Sequence, residues 1–214
     1  MRPIIKNLDL DDVDDNSVFE NQIIAGAGLF TLNGSGVVDG EWIISDGFAR
    51  KISFKSLGDI SATTLTITGY SDLNKTNLIT EDVTGPNNET VVGTKYFAII
   101  TSISGNVGIG ISIQSGFSSQ AVTAALPINW RNGIASVNLD ITGTMNVTVQ
   151  NTFDKLQDLN NLDFSWQDSS IYTLVSTLQS VSAFYEGLPS ALRLKVNSYN
   201  SGAECKLTIR QTEY

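Results

Sequence analysis

The chain has 214 residues and a formal net charge of -9, from 13 Lys+Arg against 22 Asp+Glu. It contains no histidine and one cysteine, which excludes a Ser-His-Asp triad, a Cys-His dyad, a His-ligated metal, a thiolate zinc site and an internal disulfide. At 41% hydrophobic and 16% charged it is too apolar to be disordered, and its acidic balance argues against a surface that tracks phosphates.

Residues 1–24 read as an acidic arm. Asp9, Asp11, Asp12, Asp14 and Asp15 crowd one short stretch, and such a run repels itself in a solvated, extended tail. The arm could also dock on a neighbouring subunit, with Ile4, Ile5, Leu8 and Leu10 as its apolar anchors. The turn glycine and terminal Glu of a calcium loop are missing. The opening residues lack the apolar core of a signal peptide, and no run approaches the ~18 apolar residues of a membrane span. These features, with one unpaired Cys, predict a product that stays soluble in the cytoplasm where it is made, or enters something assembled there.

Gly26-Ala27-Gly28-Leu29 opens no helix, so it makes no phosphate cradle. From Gly26 onward the period is two. Lys51–Lys55, Thr64–Thr68, Gly108–Ile113, Ser136–Ile141, Met145–Gln150, Leu192–Val196 and Cys205–Arg210 all alternate apolar with polar. That pattern predicts half-buried antiparallel strands, and Val, Ile and Thr suit a pleated surface. Thr84-Gly85-Pro86-Asn87-Asn88 is a breaker, Thr142-Gly143-Thr144 separates two strands at hairpin distance, and Asn197–Gly202 is a polar loop. Ser169–Leu178 places Ile171, Leu174, Val175 and Leu178 at helical spacing, but its β-branched content fits a loop and strand equally.

Two stretches repeat. Lys95–Gln114 and Ser190–Gln211 each carry an apolar strand, a Ser/Asn-Gly turn and an alternating strand ending in Gln, which reads as a hairpin. Leu65–Asp72 and Val147–Asp154 each run from a strand to an aromatic and an Asp. A duplication predicts two similar sandwiches side by side, with a break in the small-residue stretch Ser115–Gln120. The predicted fold is therefore all-β: two tandem antiparallel β-sandwich (jelly-roll or Ig-like) domains, 25–118 and 119–214, behind the 1–24 arm.

No residue set suggests catalysis. The carboxylates fall in turns and on polar strand faces, and Cys205 alternates with Leu207 and Ile209 towards the core. An enzyme is not expected, nor is a cofactor or a metal. Trp42, Trp130 and Trp166 are read as core plugs, with carbohydrate-stacking platforms as the alternative.

Gly26–Gly34, Leu65–Gly69, Glu81–Pro86 and Tyr96–Ile103 resemble small β modules of tailed-bacteriophage virions. Ile141–Asp154 and Leu192–Ser198 resemble a companion phage module. The likeness covers about three quarters of the chain and leaves out the arm and residues 155–189. It implies a virion structural protein, and the acidic, Thr/Asn-rich surface points to a decoration (cement) protein on the outer capsid. The partners it implies are the major capsid protein or other virion proteins and further copies of itself, a trimer being usual, with neither nucleic acid nor membrane. The alternatives are a tail or head fibre module that binds a receptor or glycan, and a head-to-tail ring component.

Overall fold

The computed structural model describes residues 3–128, 134–154, 164–177, 180–186 and 189–211. The protein is all-β, built of antiparallel strands, and among the described residues there is no helix. The chain opens with β1 (Ile4–Asp9) and β2 (Phe19–Ile24), then β3 (Gly28–Leu29), β4 (Val37–Val38), β5 (Glu41–Ile43) and β6 (Ala49–Ser56). Next come β7 (Thr64–Tyr70), β8 (Leu78–Thr84), β9 (Thr90–Phe97), β10 (Ile99–Gly105) and β11 (Ile109–Val122). After these lie β12 (Leu126–Pro127), β13 (Ile134–Thr142), β14 (Thr144–Thr152) and β15 (Gln167–Thr177). The last are β16 (Ser180–Glu186), β17 (Ala191–Tyr199) and β18 (Glu204–Gln211).

The chain divides into two compact units. One is Val13–Ala121; the other joins Met1–Asp12 to Val122–Tyr214. In the first, one sheet runs β4-β5-β10-β7-β8, with β3 on β10, and the second runs β2-β11-β6-β9. In the other unit the sheets run β12-β17-β14-β15 and β1-β18-β13-β16. Apart from the short β3 and β4, the strand order is the same in both. β5, β10, β7 and β8 correspond to β12, β17, β14 and β15, and β2, β11, β6 and β9 to β1, β18, β13 and β16.

Alternation decides which residues reach the cores. Phe19 stacks on Phe30 at 4.7 Å in the first unit and tilts against Phe54, and Ile52, Leu65 and Ile67 are fully buried. In the second, Val137, Leu139 and Ile141 bury beside Leu207 and Ile209, and Val147 and Val149 beside Leu194 and Val196.

Several expectations need correcting. The two expected hairpins are not hairpins. β10 and β11 lie in different sheets, as do β17 and β18, so each turn carries the chain from one sheet to the other. The same is true at Gly143, whose φ of 81° makes the corner between β13 and β14. Alternation reports which face a residue takes but says nothing about the strand's partner. The expected break at Ser115–Gln120 lies inside β11, where Gly116 packs so closely on the Asp14 backbone that a Cβ would sit 1.8 Å from its carbonyl oxygen. The helical spacing at 169–178 falls on strand β15 as far as Thr177; Leu178 lies outside the described residues.

The 1–24 segment is not a free tail. β1 pairs along its length with β18, Ile4 opposite Ile209 and Leu8 opposite Cys205. β2 pairs with β11 in the other unit. Of the acids between them, Asp15 pairs with Lys55 at 2.7 Å, and Asp14 accepts a hydrogen bond from Ser35 at 2.7 Å. Pairing to a sheet edge satisfies the backbone and buries the apolar side, which outweighs the repulsion among exposed carboxylates.

Two polar devices hold the first unit. Glu81 on edge strand β8 turns inward, and its carboxylate accepts the Thr94 and Lys95 N–H groups and the Thr94 hydroxyl of edge strand β9. Gly93 leaves room for it, since a Cβ there would lie 2.7 Å from Glu81 Oε2. Arg50 is fully buried, ion-paired to Asp46, with its guanidinium 5.0 Å from the centre of the Phe117 ring. Removing one member of such a pair leaves an uncompensated buried charge. Asp46→Ala is therefore expected to cost about 3–5 kcal/mol in urea unfolding, and Asp46→Ala with Arg50→Met to recover most of that loss.

Candidate binding surfaces

The outer face of the β1-β18-β13 sheet is polar because alternation turns every second residue outward. Register sets Asn7 beside Lys206 and Lys206 beside Asp140, then Asp9 beside Glu204 and Glu204 beside Thr142. Further along, Thr208 lies beside Asn138 and Arg210 beside Ser136. Two adjoining open grooves of about 450 and 490 Å³ run over this face and share Asp140 and Lys206. One end carries Asp9 and Glu204, the other Arg210, and Asn138 Nδ2 donates to Asp140 Oδ2 at 3.0 Å. Small-molecule sites of this volume are mostly apolar and concave. This face is polar and open, which suits a protein or a polar polymer.

Cys205 lies on the inner side of β18, 3% exposed. Burial first, and the Asp140 charge second, push its thiol up to about 12. It is a small apolar core residue opposite Leu8 rather than a nucleophile. Among the described residues no cluster of three or more His, Cys, Asp or Glu could hold a metal ion.

A second polar cluster lies on β14, β15, β17 and the residues just before β15. Gln150 Oε1 accepts from Arg193 Nε at 2.7 Å, and Gln150 Nε2 donates to Asp168 Oδ1 at 2.5 Å. Lys195 Nζ lies 3.6 Å from the other Asp168 oxygen. The Arg193 guanidinium stacks 4.3 Å from the centre of the Trp166 ring, and Phe164 meets Trp166 edge-on at 6.3 Å. Trp166 is half-buried, and its indole N–H has no acceptor among the described residues. Trp42 is a core plug, 1% exposed and tilted against Phe117. Trp130 lies outside the described residues.

The four residues expected to anchor an arm separate. Leu8 and Leu10 are buried at 1% and 6%, Ile4 is half-buried, and Ile5 is 52% exposed. The first two are thus committed to this chain's own core. The groove face was missed by sequence reasoning, although alternation alone puts Asn138 and Asp140 on one side of their strand and Lys206, Thr208 and Arg210 on one side of theirs. What was lacking was the register that joins the two rows.

No protein-family model and no curated protein matches the chain.

The raised thiol carries a sign. Between about 9 and about 12 the unfolded cysteine is ionised and the native one is not, so the unfolded state holds fewer protons and stability falls as pH rises through that window. At pH 8 the native thiol is expected to react with a disulfide reagent about a thousandfold more slowly than a free cysteine, and at the free rate in urea. Rapid reaction in the folded state would show that Cys205 is open to solvent.

Proposed function

We propose that the protein is a non-enzymatic structural protein of a tailed-bacteriophage virion, and in particular a capsid decoration (cement) protein on the outer surface of the head. In this reading the two units are tandem β-sandwich domains of the jelly-roll or Ig-like kind, copies of one ancestral domain. Support comes above all from the shared strand order, which extends the sequence repeat to all eight principal strands of each unit. A doubled sandwich with closed cores leaves only outer faces and ends for function, and these suit contact with other proteins. The acidic balance keeps such a protein off nucleic acid.

The partners are the major capsid protein or other virion proteins, and further copies of the chain. The mechanism is burial of surface across several capsomers, which adds binding free energy to the assembled shell without chemistry. An extended N-terminal arm would require β1 to leave β18 and expose Leu8 and Leu10, so the decoration role is assigned to the folded faces instead.

A second reading has one observation in its favour. Trp166, half-exposed beside Arg193, Gln150 and Asp168, has the composition of a sugar-stacking subsite. It would make the chain a receptor- or glycan-binding module of a fibre. Arg193 stacks on the indole, and Phe164 meets it edge-on.

Purified protein is expected to sediment with tailed-phage capsids stripped of their decoration, at hundreds of copies per head; failure to sediment with them removes the cement reading. Glycan-array binding by the isolated protein, abolished by Trp166→Ala, is the outcome that favours the fibre module.

A further inference from the structure

One end of the unit Val13–Ala121 is apolar and open, with acids only at its β6 margin, where Asp59 follows Gly58 and Glu89 lies beside Ser56. It is formed by the β2–β3 connection, the β10–β11 turn and the end of β6. β11 pairs Ile109 with Ile24, β10 pairs Gly105 with Gly28, and Ser56 Oγ donates to Ser112 O. A Cβ on Gly58 would lie 2.7 Å from Ile111 Cδ1, and one on Gly108 2.6 Å from Ala25 O, so these segments touch. They expose Leu57 at 85%, Leu29 at 69%, Ile23 at 62%, Val107 at 43% and Ile111 at 37%. Residues 21–38 and 96–130 contain no Asp, Glu, Lys or Arg.

The second unit provides an internal control. Its equivalent end, where β1 finishes and β17 turns into β18, carries Asp9, Asp11, Asp12 and Glu204. There Ser201 Oγ donates to Asp12 Oδ2 at 2.8 Å, and Tyr199 Oη donates to the Asp11 carbonyl. The fold therefore does not demand an apolar end at this place. One unit places acids where its last two strands turn, and the other keeps that turn aliphatic and its acids at the β6 margin.

The glycines point the same way. Almost every described glycine has a reason within the chain, either a positive φ or a neighbour too close for a Cβ. Gly26, Gly28 and Gly110 have neither; open space surrounds them, and all three lie at this end. Glycine costs a strand or an ordered loop backbone entropy. With nothing inside the chain to require it, close approach of another backbone accounts for it.

We propose that this end is the contact through which the chain binds a second copy of itself. The occupant follows from charge. Each copy carries -9, so contact through most other surfaces sets carboxylates against carboxylates. An oppositely charged partner would be met by acids, and the centre of this end, residues 23–29 and 105–111, has none; Asp59 and Glu89 lie at its β6 margin. A like copy brings an equally apolar, uncharged centre, and a closed pair uses the same patch on both members. This names the surface behind the self-association proposed above, and it stands or falls independently of the virion assignment.

Sedimentation velocity of the full chain, from low micromolar to submillimolar concentration, is expected to show concentration-dependent association that persists in high sodium chloride, which screens the remaining repulsion. Leu29→Asp places a like charge on both copies and should weaken association at least tenfold. Gly110→Leu fills space that is empty in the single chain, so it should leave the melting temperature unchanged or raised while weakening association comparably. Leu73→Asp, at the opposite end of β7 and 48% exposed in the wild type, should associate as the wild type does. A wild type that stays monomeric throughout overturns the proposal, as does undiminished association of both the Leu29 and Gly110 variants. Either result leaves capsid binding untouched, because that assay reads a different contact.

Discussion

Each unit depends on two sheets that bury one face of every long strand, and this constraint organises the chain from end to end. A strand with period-two patterning cannot hide its apolar row alone; it needs a facing sheet. The connections at Gly105–Ile109, Gly143 and Asn200–Ala203 supply that facing sheet by carrying the chain across instead of folding it back beside itself. The polar staples follow from the same demand. Where β8 and β9 end their sheets, no further strand can satisfy them, and the Glu81 carboxylate takes the backbone donors that would otherwise be unpaired.

The constraint also explains why the N-terminus is ordered. β18 has β13 on one side, and without β1 its other edge would be open, with Cys205 and its neighbours half-covered. Leu8 and Leu10 close that side. In the other unit β2 does the same for β11, with Phe19 buried and stacked on Phe30. The aspartates between β1 and β2 sit where the chain leaves one unit and enters the other, and their carboxylates find Ser35, Lys55 and Ser201. An acidic run is thus compatible with order when alternate residues beside it are apolar and a sheet edge is waiting.

Legibility in the sequence followed what each signal physically encodes. Period-two alternation encodes face, so the strands at 51–55, 64–68, 136–141, 145–150, 192–196 and 205–210 could be read directly, as could the burial of Cys205. It does not encode partner, so strand pairs joined by a Gly turn looked like hairpins when they cross between sheets. Ser115–Gln120 looked like a linker because its residues are small, yet Gly116 and Ser115 are small in order to pack, Ser115 Oγ donating to Ser53 O inside the core. The groove face and the Trp166 cluster were hidden for a related reason. Gln150, Asp168, Arg193 and Lys195 are scattered in the chain and become neighbours only through the registers of β14 with β15 and β17.

The two units show how one plan diverges once its core is secured. Inner-face positions stay apolar in both, aromatic as well as aliphatic in the first unit, and the polar groups that enter, such as Arg50 and Glu81, bring partners because desolvation would otherwise be uncompensated. Outer faces and ends are under no such restriction, and there the units differ most. One presents a row of Asn, Asp, Lys, Thr and Arg across β13 and β18, and acids at the end where β17 turns into β18. The other presents Ile, Leu, Val and Gly at the equivalent end. An acidic chain gains nothing by itself from bare aliphatic side chains beside glycines that its backbone does not require. The self-contact proposed above accounts for the asymmetry: the end rich in acids suits water or a polar partner, and the apolar one suits cover by a like surface.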